Sequence, residues 1–136
     1  MREDGFNLCY ANPRFQDDPE IVEVAVREEG CALNWASPRL QDDFDIVLAA
    51  VQEFGCALNW ASPRLQDDYD IVLAAVQSSS GLALEFASPR LRDDYKIVKA
   101  AIQDDSYALR FASLRLQCNI ENESRKIDIK NKRLID

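Results

Sequence analysis

Aspartate pairs recur at 17–18, 42–43, 67–68 and 93–94, and oxygen ligands in such numbers could hold a hard divalent cation. They lack the glycine-bearing loop of a calcium site, however, and each stands at the expected start of a helix. The pairs therefore read as repeated helix caps, with no metal and no other cofactor implied. Arg14, Arg39, Arg64, Arg90 and Arg115 form a second periodic set. A ladder of guanidinium groups could grip phosphates or carboxylates on a partner. Each of the first four precedes an aspartate pair by three residues, which favours a structural role within or between repeats.

Nucleophilic and metal chemistry finds little else to work with. Histidine is absent, which removes the commonest general base and metal ligand together. The cysteines at 9, 31, 56 and 118 show no close pairing of the kind that marks zinc sites or redox dithiols. Cys31 and Cys56 share one repeat position, and all four read as reduced, small apolar filler. Ser78-Ser79-Ser80-Gly81 lacks the strand-turn-helix setting of a serine nucleophile and reads as a junction between repeats. Trp35 and Trp60 could stack on a ligand, but their positions are matched by Tyr10, Phe86 and Phe111, which points to a shared core.

These residues are positioned by a tandem repeat. Gly5, Gly30, Gly55, Gly81 and Ser106 open five units of 25, 25, 26, 25 and 31 residues. Units 2 and 3 are nearly the same text, GCALNWASPRLQDDFDIVLAAVQEF and GCALNWASPRLQDDYDIVLAAVQSSS. Within unit 2, Gly30 is expected to end the preceding helix in the left-handed conformation, and residues 32–36 to form a short helix. Ser37-Pro38 ends that helix, and 38–41 make one new turn with proline at its first position. Asp42 is expected to cap a second helix over about 43–53, with Asp45 completing a capping box. Its apolar face is Phe44, Ile46, Val47, Ala50 and Val51, leaving Asp45, Leu48 and Gln52 outward.

A unit of this size cannot bury its own apolar face, so neighbours must stack. The fold class is all-α: a short helical-repeat solenoid of about five units, each with two helical segments and a connecting turn. The core columns are Leu8, Leu33, Leu58, Leu84 and Leu109; Tyr10, Trp35, Trp60, Phe86 and Phe111; and Ile21, Ile46, Ile71 and Ile97. The array occupies 1–118. Residues 119–136 form a basic tail, and just before and at its start Leu114 replaces the proline and Cys118-Asn119 the aspartate pair. Ile120, Ile127 and Leu134 recur every seven residues there, so the tail is either a helix capping the open end or disordered.

The unit ALNWASPRLQDDYDIVLAAVQ resembles the repeat known as domain of unknown function 4116, over about residues 5–118. Proline at 13, 38, 63 and 89 departs from that pattern, as does the degenerate fifth unit. The resemblance implies helical tandem repeats without an established catalytic activity, and it brings no ligand and no functional residues. The unit length is also similar to that of the leucine-rich repeat variant.

The remaining function classes narrow quickly. A net charge of −8 argues against nucleic acid as a partner, because nonspecific affinity for it comes from clustered Lys and Arg. No apolar run approaches the ~20 residues of a membrane helix. The N-terminus carries no signal-peptide pattern, so an intracellular, cytoplasmic setting is expected. An enzyme is not expected. The chain reads as a non-catalytic scaffold for an unidentified protein partner, or alternatively as a purely structural array or regulatory arm of a larger protein. A monomer is expected, with end-to-end association open. What varies along the array is outward on the second helix: Glu20, Glu23 and Arg27 in unit 1, Lys96, Lys99 and Gln103 in unit 4, and between them the leucine pair. Leu48 and Leu73 would sit side by side and exposed, so Leu48, Leu73, Lys96 and Lys99 are the candidate partner surface.

Overall fold

The computed structural model describes residues 12–78 and 81–135, with the side chains of 131 and 133–135 left out. Among the described residues every regular element is helical. Unit 1 contributes α1 (Pro13–Gln16) and α2 (Pro19–Glu28). Unit 2 is a 3-10 helix, Gly30–Trp35, then α3 (Pro38–Gln41) and α4 (Phe44–Glu53). Unit 3 repeats this as Gly55–Trp60, α5 (Pro63–Gln66) and α6 (Tyr69–Ser78), and unit 4 as Gly81–Phe86, α7 (Pro89–Arg92) and α8 (Tyr95–Asp104). Unit 5 has the 3-10 helix Ser106–Phe111 and then one 22-residue helix, α9 (Leu114–Ile135). Units 2 to 4 thus carry three helical segments, the expected connecting turn being a full turn of helix begun by its proline.

The long helices α2, α4, α6 and α8 stack on one another in one layer and the 3-10 helices in a second. The core lies between them, with Leu33, Leu58, Leu84 and Ile46, Ile71, Ile97 buried. Ala49 is buried as well, while Phe44, expected inward, is exposed at the first turn of α4. Leu8 and Tyr10 lie outside the described residues.

The aspartate pair divides its work, which corrects the assignment of the cap to Asp42. Asp43 is the N-cap of α4, its carboxylate accepting the Ile46 N–H at 3.1 Å; Asp18, Asp68 and Asp94 do the same for α2, α6 and α8. Asp42 instead ends α3 and is used by the next unit.

The glycines also have a different reason from the one expected. No described residue, glycine included, has positive φ. Gly30 is buried, and a Cβ there would fall 2.6 Å from the Ala50 carbonyl oxygen in α4. Glycine lets the start of each 3-10 helix press on the long helix of its own unit.

The boundary placed at 118/119 is not a structural one. Without a proline to start a fresh turn, and without an aspartate cap to break and restart the helix, α9 runs through it. Capping by the tail is confined to its beginning. Ile120 packs on the core and the Tyr95 hydroxyl lies 3.4 Å from a Glu123 carboxylate oxygen, whereas residues 121–130 are exposed. Leu134 falls outside the described side chains.

Candidate functional site

The repeated arginines are held internally. At the junction of units 2 and 3, the Ser62 N–H donates to the Gln41 carbonyl at 2.9 Å and the Ser62 hydroxyl donates to Asp42 Oδ1 at 2.5 Å. Arg64 Nε donates to the same Oδ1 at 2.9 Å, and its Nη2 to the Asp42 carbonyl at 2.7 Å. The clip is built identically by Ser37-Arg39 on Asp17, Ser88-Arg90 on Asp67 and Ser113-Arg115 on Asp93. Arg14 has its guanidinium 5.7 Å from the Phe15 ring centroid. The arginine ladder therefore staples neighbouring units, which accounts for its period.

The serine hydroxyl first and then the arginine hold the carboxyls of Asp17, Asp42 and Asp67 below the ordinary range; for Asp93 the order is Arg115 and then Ser113. A carboxyl with a depressed folded pKa adds stability above its unfolded value and loses it as pH falls through the folded one. An Asp42→Asn/Asp67→Asn variant is thus expected to melt below the wild type at neutral pH. The gap should close below about pH 3.8, the ordinary aspartate value, which melting curves across pH 2–7 would check.

A glutamine follows three of the four clips. Gln41 Nε2 donates to the Leu33 carbonyl at 3.0 Å and Gln66 Nε2 to the Leu58 carbonyl at 3.0 Å, satisfying the open end of the 3-10 helix. Unit 4 has Arg92 there, and its Nε is buried without a partner. Arg92→Gln restores the cap and is expected to stabilise by about 1 kcal/mol, read as a raised urea midpoint.

The aromatic column lies at a rim instead of in the core. A 3-10 helix has three residues per turn, so Gly30, Leu33 and Ala36 point inward and are buried, while Trp35 falls on the flank. Trp35 is 40% exposed, and Trp60, Phe86 and Phe111 are half-buried. Beside each aromatic stands an exposed polar residue that changes along the array: Asn34, Asn59, Glu85 and Arg110. In unit 5, Arg110 lies 4.5 Å from the Tyr107 ring centroid and 5.8 Å from that of Phe111. The spacing of Gly30, Leu33 and Ala36 was the signal in the sequence for this rim.

The surface expected on the long helices is less open. Leu48 and Leu73 are half-buried and packed on the core, so they form no exposed leucine pair. Lys96 and Lys99 are exposed; Lys99 lies over Tyr95 and, with Ile102 and Ile120, lines a groove of about 170 Å³ between α8 and α9.

Cys31 and Cys56 are half-buried, and burial first, with Glu29 and Glu85 respectively adding, pushes their thiols up and away from the reactive thiolate. Cys118 is exposed on α9, not core filler, and Cys9 lies outside the described residues. Among the described residues no polar or charged side chain is buried, and no group of three His, Cys, Asp or Glu is placed to hold a metal ion.

The family model for Domain of unknown function (DUF4116) matches residues 1–41, 43–80 and 78–117. The chain belongs to the DUF4116 family. The matches cover the whole aromatic rim and every clip residue except Asp42, which falls between two of them, so rim and clips are features of this chain's DUF4116 region. They end at 117, leaving most of α9 outside the family repeat. No curated relative and no solved structure matches the chain. No described helix is long and apolar enough to cross a membrane.

Proposed function

We propose that this DUF4116 array is a non-catalytic scaffold that binds a protein partner along its aromatic rim. The observation carrying the reading is that Trp35 is 40% exposed and that Trp60, Phe86 and Phe111, though seated on the core, are only partly buried, each beside an exposed polar residue that changes along the array. Rigid aromatic side chains supply contact area at low entropic cost, and neighbouring Asn, Glu and Arg supply direction and selectivity. Half-buried, unpaired Cys31 and Cys56 suit a reducing, intracellular setting. Near-identity of units 2 and 3 supports the second reading, a purely structural array or regulatory arm with no ligand of its own.

Trp35 and Trp60 are the chain's two tryptophans and report directly on this rim. A peptide library selected on the intact array is expected to yield binders that shift tryptophan emission and lose affinity at least tenfold against Trp35→Ala/Phe86→Ala, with the circular dichroism unchanged. Binders indifferent to that substitution, or no binders at all, would favour the structural array.

A further inference from the structure

One set of positions is more open in the first unit than in units 2 to 4. Phe15 corresponds to Leu40, Leu65, Leu91 and Leu116, which are at most 2% exposed, yet Phe15 is 39% exposed. Ile21 is half-buried where Ile46, Ile71 and Ile97 are buried, and Val24 is 52% exposed where Ala49 is buried and Ala74 and Ala100 are half-buried. With Glu20 these residues line a groove of about 540 Å³ on the flank of α2 facing away from α4. In later units the matching flank is covered by the preceding long helix. The groove is an inter-unit surface with the imprint of a helix.

The chain carries a helix outside its repeats at the opposite end. Ile120 seats α9 on the body. At 100° per residue Ile129 lies about 180° away from Ile120, and Arg125, Lys126 and Lys132 fall within about 60° of Ile129. Ile129 is 53% exposed and these three bases are exposed too, so α9 turns outward an apolar centre ringed by positive charge. The groove end is acidic: residues 12–30 hold six acids against two bases, whereas 119–135 hold five bases against three acids.

We propose that the outward face of α9 in one copy docks in the α2 groove of a second copy, with Ile129 among Phe15, Ile21 and Val24 and the basic ring beside Glu20. The docked helix adds to the long-helix layer as a further unit would. Groove and helix are different surfaces at opposite ends, so the contact is heterologous and propagates into chains or rings instead of stopping at a pair. Its charged rim makes it sensitive to salt. The inference stands apart from the rim-binding proposal, and Trp35→Ala should leave it untouched.

The full chain is tested by sedimentation velocity over a wide concentration range. At low salt the wild-type average mass is expected to climb past that of a dimer and to return to monomer in high salt. Val24→Asp removes the groove and Ile129→Asp the knob; both positions are exposed, so the fold should persist, and each variant alone should stay monomeric. Mixed, they retain one good groove and one good helix between them and should form a heterodimer that grows no further. Lys126→Glu/Lys132→Glu should likewise be monomeric and regain association with a Glu20→Lys copy. A wild type monomeric throughout at low salt overturns the proposal. So does either aspartate variant associating like the wild type, or a mixture that stays monomeric.

Discussion

Ala50→Asp is expected to unfold most of the array at temperatures the wild type survives. Ala50 is fully buried in α4, the helix that packs on α2 to one side and α6 to the other. No buried polar or charged side chain exists among the described residues to pair with a new carboxylate. An uncompensated buried charge costs roughly 3–5 kcal/mol against a total stability of roughly 5–15 kcal/mol for a domain. In a stacked array that loss falls on two interfaces at once, so units on either side lose a neighbour as well. Pro38→Ala, by contrast, edits an exposed first position of α3, where alanine keeps the helical angles and leaves Leu40 buried. The residual cost is about 0.4–1 kcal/mol, from greater freedom of the unfolded chain. Thermal unfolding followed by circular dichroism should separate the two variants clearly. Equal melting temperatures would refute the placement of Ala50 at the centre of the core.

The helices and their order were legible because local signals agree with one another. An aspartate cap, a proline at the first helical position and an Ile-Val-Leu-Ala-Ala-Val run cannot all be satisfied by strand. The isoleucine and leucine columns followed from the period alone. Three features required the third dimension. The two aspartates of a pair are indistinguishable in one dimension, but Asp42 faces the incoming Ser62 and Arg64 while Asp43 faces its own helix. Trp35 was expected in the core because its position is aromatic in every unit; the 3-10 turn places it at the rim instead. Leu48 and Leu73 look exposed on a helical wheel of one unit and become half-buried only when the neighbouring unit is stacked beside them. For α9 the missing proline and aspartate pair were visible, but their consequence, one uninterrupted helix in place of a turn and a second helix, depends on the absence of anything to restart the fold.

Gly81→Ala is expected to cost about 1–3 kcal/mol, a large penalty for one methyl group on a residue with ordinary backbone angles. The cause is the close approach of the unit's own long helix. A Cβ at Gly81 would be driven into the Ala101 carbonyl oxygen, with Ala101 Cα at 3.0 Å, and these are backbone atoms in the middle of α8 that no rotamer change can move. Gly81 also donates its N–H to an Asp104 carboxylate oxygen at 3.1 Å, so shifting it outward sacrifices that bond. Gly55 meets Ala75 in the same way, and Gly30 meets Ala50. The chain contains its own control. Ser106 opens unit 5 at the equivalent position, already bears a Cβ and is exposed, because α9 leads on from this unit without folding back to cover it. Ser106→Ala should therefore change stability by no more than about 0.5 kcal/mol. Urea unfolding of the two variants reads the contrast as a shift in midpoint at unchanged slope. A Gly81→Ala midpoint as close to wild type as that of Ser106→Ala would mean that the 3-10 helix and the long helix of a unit do not pack this closely, and that glycine opens the unit for some other reason.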